Sequence, residues 1–150
     1  MKRVLFVCHG NICRSPMAEF VFKDLVRRAG REGDFMVASA ATSSEELGNP
    51  VYPPARRELA AHGLSCEGKT ARRIEREDYG RWDFIVGMDE ENRRNLLRLF
   101  GGDPENKVSL LLDWTDGQSR DVADPWYTRD FAATWRDVVA GCGALFSALG

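Results

Sequence analysis

Four short apolar runs stand out along the chain, and amphipathic segments separate them. Each run is long enough for one strand and is composed mainly of Val, Phe, Leu, Ile, Met or Ala. The pattern predicts strands over residues 4–8, 35–40, 84–88 and 108–112.

The segments between these runs repeat apolar residues at helical spacing. Ser15 and Pro16 suit the start of the first helix, because Ser can cap a helix and Pro fits its first position. Gly30 suits the end of that helix. A polar stretch rich in turn residues covers residues 42–54, and a second helix is predicted over residues 56–62.

The second half of the chain continues the alternation. A short helical turn is predicted at residues 75–79, and Asp89 suits the cap of the helix that follows the third strand. The last helix has the clearest pattern. Its apolar residues fall on one face: Phe131, Trp135, Val138, Cys142, Leu145, Phe146 and Leu149.

Strands that alternate with helices predict an α/β fold, with a parallel sheet covered by helices on both faces. No repeat, low-complexity segment or linker divides the chain, so we expect one three-layer domain over residues 1–150. In such sheets, ligands bind beyond the carboxyl ends of the strands. The segment after the first strand, residues 8–15, is therefore the first place to look for chemistry.

Composition narrows the possible partners. The chain has 150 residues and a net charge of −2, so bulk electrostatics would not recruit nucleic acid or an anionic membrane. No apolar run approaches the length of a membrane span, and we expect a cytoplasmic protein. The 4 cysteines are interpreted as thiols, and no Cys/His cluster has zinc-ligand spacing, so neither a metal nor another cofactor is expected. The oligomeric state stays open between a monomer and a weak dimer.

The segment that follows the first strand has the composition of a phosphate-binding loop. Its residues are Cys8, His9, Gly10, Asn11, Ile12, Cys13, Arg14 and Ser15. Successive backbone N–H groups in a tight loop between a strand and a helix can form an anion nest. Arg14 offers a planar fork for two phosphate oxygens, and Gly10 permits a backbone that a Cβ would obstruct.

The same surroundings favour the thiolate form of Cys8, which would then be a nucleophile beneath a bound phosphate. Ser15 is placed to donate a hydrogen bond to it. The spacing of Cys8 and Arg14 is weak evidence by itself, because Cys66 and Arg72 have the same spacing. Only the first pair follows a strand and precedes a helix start, and this context selects it.

Residues 8–16 resemble the phosphate-loop signature C-x-G-N-x-C-R-S-P of the low-molecular-weight protein tyrosine phosphatases. Residues 39–42, 48–50, 88–90 and 124–127 also fall in the order of that family. The resemblance implies a four-stranded parallel sheet with strand order 2-1-3-4. It also implies a phosphotyrosine-containing protein substrate and a phosphocysteine intermediate on Cys8, without a metal.

The resemblance also implies roles for residues far from the loop. Asp124 would be the general acid and base, and Pro125 would restrain its backbone. Trp126 and Tyr127 would form the walls of the substrate slot. Asn11 would shape the loop with Ser39 as its partner.

Further positions are implied less directly. Cys13 could form a reversible disulfide with Cys8 under oxidation. The family often has a histidine in the network that supports the loop, and Thr70 is predicted at that position. Glu45 and Glu46 stand where some members have an aromatic residue at the rim. They would favour basic residues next to the phosphorylated residue, unless they are simply solvated.

Three alternatives stay open at this point. A protein-arginine phosphatase can share the loop, but Ile12 suits an aromatic ring better than the Thr typical of that branch. An arsenate reductase would need further redox cysteines, and residues 65–112 contain only Cys66. A non-catalytic phosphate-binding module would be expected to lack Cys8 or Asp124.

Overall fold

The structure, a computed structural model, describes residues 1–117 and 120–150. Helices and strands alternate along these residues, as predicted. The four strands are β1 (Lys2–Cys8), β2 (Phe35–Ala41), β3 (Phe84–Gly87) and β4 (Val108–Leu110). The six helices are α1 (Arg14–Arg28), α2 (Pro53–Ala61), α3 (Asp78–Arg81), α4 (Glu90–Phe100), α5 (Pro125–Thr128) and α6 (Phe131–Leu149).

The strands form one parallel sheet in the order β2-β1-β3-β4, which confirms the predicted fold class and strand order. The register pairs Cys8 with Ala41 and Val7 with Gly87. The carboxyl ends of the three strands that flank the site therefore lie at one edge of the sheet. The chain passes from β1 to β2 on one side of it and then to β3 on the other side. The strand order therefore reverses at the carboxyl end of β1.

Alternating side chains of β1 enter two separate cores. Val4 and Phe6 belong to the larger core, which the sheet forms with α1, α2 and α6. Leu5 and Val7 belong to the smaller core on the other face, which α4 covers with the fully buried Leu96. Burial of both faces explains why β1 is an almost unbroken apolar run.

Several element boundaries differ from the predictions. The helix predicted over residues 56–62 begins earlier, because Pro53 and Pro54 lie in its first turn, where a missing N–H costs no hydrogen bond. The strand predicted to continue to residue 112 stops at Leu110, whose amide donates to the Asp113 carboxylate at 2.9 Å. A 3₁₀ turn follows that bond.

The prediction that Ser15 caps the first helix is wrong. The N-cap residue is Cys13, which makes no side-chain capping bond, and Ser15 lies inside α1. By contrast, Asp89 caps α4 as predicted, accepting from the Asn92 amide at 2.8 Å. The short helix predicted over residues 75–79 is observed later, as α3, because Asp78 accepts from the Glu75 amide and forms a turn before it.

Within the described ranges, no helix combines the length and the apolar character that crossing a membrane requires.

Candidate active site

Cys8 ends β1, the inner strand that has β2 on one side and β3 on the other. Its side chain is buried, and two groups approach its sulfur. The Ser15 hydroxyl lies 3.0 Å from Cys8 Sγ, and the Asn11 amide donates to the same sulfur at 3.3 Å. The Asn11 amide brings a polar hydrogen to the sulfur, whereas at the Ser15 contact the distance alone fits either atom as the donor.

Asn11 gives the loop its shape. Its φ of 61° lies in the left-handed region, which Asn tolerates better than most residues do. The Asn11 side-chain NH₂ donates to Ser15 Oγ at 2.8 Å and to Ser39 Oγ at 2.9 Å. Asn11 Oδ1 accepts from the Arg72 amide at 3.2 Å, so every polar group of the side chain is engaged. Ser39, the partner expected from the sequence, is in place.

A buried charge pair lies beneath this network. Glu19 is buried on α1, and its Oε1 accepts from the Ser39 hydroxyl at 2.5 Å. Lys69 Nζ lies 3.5 Å from the same oxygen and donates to the Ser39 carbonyl at 3.0 Å.

The prediction that Thr70 occupies the supporting position is therefore wrong. Thr70 is exposed and contacts Pro50 through a backbone bridge, while the neighbouring Lys69 turns inward. A one-residue error of this kind is enough to exchange an inward side chain for an outward one in an extended segment.

Arg14 is buried beside two carboxylates. Its Nη2 lies 2.9 Å from Asp89 Oδ2 and 3.4 Å from Asp124 Oδ2, and Nη1 donates to the Val122 carbonyl at 3.0 Å. Burial works against the charge, but Cys8, Asp124 and Asp89 outweigh it and raise the pKa of Arg14. The guanidinium is therefore a fixed positive charge at the bottom of the site.

Asp124 precedes α5 and caps it. Its Oδ1 accepts from the Trp126 amide at 3.0 Å, which leaves Oδ2 directed at Arg14. Trp126 and Tyr127 follow and line the same cavity, and Tyr127 is 82% exposed. The ring of Trp126 packs against Tyr52 with a centroid distance of 5.1 Å, which steadies the Trp126 wall.

The cavity around these groups has a volume of about 310 Å³. It includes every loop residue from Cys8 to Arg14 together with Asp124, Trp126 and Tyr127. Glu45, Glu46 and Glu91 also line it, so its walls carry far more negative than positive charge. Glu45 Oε2 lies 3.0 Å from His9 Nε2.

The remaining loop residues have identifiable surroundings. Ile12 and Cys13 are buried, and a Cβ on Gly10 would meet Glu46 Cγ at 3.4 Å. Burial, followed by the charges of Cys8 and Asp124, raises the pKa of the Cys13 thiol to about 12. Within residues 1–117 and 120–150, no cluster of His, Cys, Asp and Glu has an arrangement suited to a metal ion.

Backbone bonds attach the segment 44–51 to the loop at both ends. At its start, the Thr42 amide donates to the Cys8 carbonyl at 2.9 Å and the Ser43 amide to the His9 carbonyl at 3.1 Å. At its end, the Tyr52 amide donates to the Ile12 carbonyl at 2.9 Å. Segment 44–51 contributes Glu45 and Glu46 to the cavity wall.

Sequence reasoning missed several residues of this site. The sequence predicts Asp89 as a helix cap within a segment that resembles the family, but it does not predict that Asp89 is the carboxylate nearest to Arg14. Glu19 and Lys69 were not identified. Glu19 had a detectable signal, because it lies four residues after Ser15 on a helix face that also carries apolar residues. Lys69 had no such signal in the sequence, because its side chain turns inward through a contact with the Ser39 carbonyl of β2.

The fold and the site define an α/β protein that holds a cysteine and an arginine in one loop at the carboxyl end of its first strand. A family model described as "Low molecular weight phosphotyrosine protein phosphatase" matches residues 3–150, and the chain belongs to this family.

Curated relatives support the same assignment. The low molecular weight protein-tyrosine-phosphatase YfkJ of Bacillus subtilis is 37% identical over 150 residues, covering 99% of this chain and 96% of the relative. The low molecular weight phosphotyrosine protein phosphatase of Homo sapiens is 38% identical over 147 residues, covering 95% and 92% respectively.

Solved structures agree with the fold. The crystal structure of YfkJ from Bacillus subtilis superposes with a TM-score of 0.96 at 37% identity, over 99% of this chain and 94% of the other. The structure of DARP, drosophila arginine phosphatase, superposes with a TM-score of 0.88 at 29% identity, over 99% and 98%. The lower identity of the second match does not favour the arginine-phosphatase alternative.

Proposed function

We propose that this chain hydrolyses phosphotyrosine in proteins, and small aryl phosphates, through a phosphocysteine on Cys8. One observation carries the proposal. A single cavity brings together three groups: the Cys8 sulfur, which has the Asn11 amide and the Ser15 hydroxyl beside it, the buried Arg14 guanidinium, and the Asp124 carboxyl group. These are a nucleophile, a phosphate-binding cation and a proton donor, the three groups that displacement at a phosphate monoester requires.

In the first step, the Cys8 thiolate attacks phosphorus, and the bond from phosphorus to the aryl oxygen breaks. The proton of Asp124 moves to the leaving oxygen, so that a neutral phenol departs. Arg14 and the loop amides stabilise the charge on the equatorial oxygens.

In the second step, water attacks the phosphorus of the phosphocysteine. The Asp124 carboxylate takes a proton from that water, the bond from sulfur to phosphorus breaks, and inorganic phosphate leaves. Cys8 returns to the thiolate, which Ser15 and the Asn11 amide stabilise as the leaving group. Over the two steps Asp124 gives up one proton and regains one, and side chains and backbone amides of the chain supply the catalytic groups.

The side chains that line the cavity support an aromatic phosphate ester as the substrate. Trp126, Tyr127 and Ile12 offer apolar surface to an aromatic ring above the loop. The carboxylates of Glu45, Glu46 and Glu91 would attract basic residues that flank the phosphotyrosine and repel acidic ones.

The test is hydrolysis of p-nitrophenyl phosphate by the wild type and by Cys8→Ser. We expect the variant to fall to background. Cys66→Ser is the matched control, because Cys66 has the same spacing to an arginine but lies outside the cavity, and it should keep wild-type turnover. Substantial activity in Cys8→Ser would show the mechanism to be wrong.

The role of Asp124 is tested by leaving-group dependence. Asp124→Asn should lose about 10²–10⁴-fold in rate on phenyl phosphate, whose leaving group needs a proton, and much less on p-nitrophenyl phosphate. An equal loss on both substrates would remove Asp124 from the acid role. Faster turnover of phosphoarginine than of phosphotyrosine by the wild type would assign the protein to the arginine-phosphatase branch instead.

The cytoplasmic location stays a prediction. The free thiols of all four cysteines support a reducing compartment, and cell fractionation checks it. A disulfide between Cys8 and Cys13 stays a prediction too, and mass spectrometry after mild peroxide treatment checks it.

A further inference from the structure

We infer that Glu19 and Lys69 form a positioning pair that fixes the direction of the hydrogen bonds beneath the loop, so that Ser15 donates to Cys8. The inference rests on the proposed function, since it concerns the same nucleophile. Neither residue touches the cavity, and both act through Ser39 and Asn11.

The direction is set first at Ser39. A carboxylate can only accept, so at 2.5 Å the Ser39 hydroxyl must give its hydrogen to Glu19. The lone pairs of Ser39 Oγ then face Asn11, 2.9 Å away, and accept from its side-chain NH₂. A neutral partner at position 19 could donate to Ser39 instead and reverse this bond.

The direction then passes along the Asn11 amide. With its NH₂ turned towards Ser39, the second hydrogen of that group points at Ser15 Oγ, 2.8 Å away. Asn11 Oδ1 is left for the Arg72 amide, which is a donor and agrees with this orientation. Ser15 Oγ therefore accepts from Asn11, and its own hydrogen is free for Cys8 Sγ at 3.0 Å.

The charge of Glu19 needs support, because the residue is only 4% exposed. Two lysines supply it: Lys23 at 2.6 Å from Oε2, and Lys69 at 3.5 Å from Oε1. Lys23 is on the same helix and half in solvent, whereas Lys69 is 12% exposed and also bonds the Ser39 carbonyl. Lys69 therefore holds both Glu19 and β2 at the point where the network begins.

The groups around Lys69 act in opposite directions. Burial lowers the pKa of Lys69, Glu19 raises it, and the neighbouring Arg72 and Lys23 lower it further. The pair thus combines a partly desolvated cation with a buried anion. Removal of either side chain leaves the other charge without its buried partner and should destabilise its position.

The experiment compares Glu19→Gln and Lys69→Met with the wild type in two measurements. The first is the pH dependence of Cys8 alkylation by iodoacetamide, which needs no substrate and follows thiolate formation. The second is kcat and KM on p-nitrophenyl phosphate. In both variants we expect the alkylation midpoint to move upward by about half to one pH unit. We also expect kcat to fall by about tenfold with KM nearly unchanged.

Asp24→Asn is the matched control. Asp24 is a buried carboxylate on the same helix, and it pairs with Arg27 and Arg28 rather than with the loop network. This control should lower the melting temperature while leaving the alkylation midpoint and kcat unchanged. Lys69→Arg keeps the positive charge and should restore most of the kcat that Lys69→Met loses.

The inference is overturned if Glu19→Gln and Lys69→Met behave like Asp24→Asn, losing stability with an unchanged alkylation midpoint and kcat. Should Glu19→Gln fail to fold, the comparison of Lys69→Met with Lys69→Arg decides: equal midpoints and equal kcat in the two would overturn it. Absence of wild-type hydrolysis would instead refute the proposed function, and the alkylation profile would still test the pair.

Discussion

Alanine substitutions at two glycines of α6 are expected to change the free energy of unfolding in opposite directions. Gly141 is buried against Leu111, which follows β4 directly. A Cβ built on Gly141 would lie 2.4 Å from Leu111 Cγ, far inside contact distance. Leu111 is fully buried, so its side chain cannot swing into solvent. Gly143 lies two residues later, and among the described residues no atom outside its own stretch of helix comes within 4 Å of such a Cβ.

The magnitudes follow from two opposing effects. Alanine is favoured over glycine inside a helix by about 1 kcal/mol, and both variants gain this amount. Overpacking in a core costs about 1–3 kcal/mol, and the 2.4 Å approach places Gly141→Ala at the upper end. We therefore expect Gly141→Ala to lose about 2 kcal/mol of unfolding free energy, and Gly143→Ala to gain about 1 kcal/mol.

The assay is urea unfolding of the wild type and both variants, with the slope against urea concentration as a check that the two-state comparison holds. For a chain of this length, a loss of about 2 kcal/mol lowers the melting temperature by about 4–8 °C. Turnover of p-nitrophenyl phosphate well below the transition should be unchanged in both variants. If Gly141→Ala proved as stable as Gly143→Ala, the packing of α6 on Leu111 would be wrong.

Three further predictions concern the site. Ser15→Ala removes the hydroxyl that lies 3.0 Å from the Cys8 sulfur and that we infer to be a donor. A hydrogen bond to a charged group is worth about 1.5–3 kcal/mol, so we expect kcat to fall by about tenfold or more in steady-state assays. Because burial raises the pKa of Cys13 to about 12, its thiol stays protonated at pH 8, and mass spectrometry after brief iodoacetamide treatment should find the loop adduct on Cys8 alone. Glu45→Gln and Glu91→Gln should each reduce the preference for lysine-flanked over glutamate-flanked phosphotyrosine peptides by about twofold, with the difference disappearing in 1 M salt. An unchanged ratio of kcat/KM for the two peptides would show these glutamates to be merely solvated.

The parts of the fold that could be predicted are those governed by local pattern. The apolar run of β1 is visible in the sequence because both of its faces are buried, and the one-sided pattern of α6 is visible because one face is buried. The end of β4 could not be predicted, since it depends on a bond between the Leu110 amide and the Asp113 carboxylate that composition does not reveal.

The candidate site divides in the same way. Cys8 and Arg14 are close in the chain, and the strand and helix around them make the loop recognisable. Asp89 approaches Arg14 only because β1 and β3 are neighbours in the sheet, so its contact with Arg14 is a consequence of topology. The exchange of Thr70 for Lys69 in the supporting network has a similar origin, because the path of an irregular segment along the edge of β2 fixes which side chain turns inward.

The attachment of segment 44–51 has a consequence for how specificity could change. Its two ends are joined to the loop by main-chain bonds from Thr42, Ser43 and Tyr52, and such bonds do not depend on the identity of the side chains between them. Mutations within the segment can therefore alter the charge and shape of the cavity wall while the geometry around Cys8 is inherited unchanged. Segment 44–51 is accordingly the natural place for directed evolution or grafting to redirect the enzyme to other phosphopeptides.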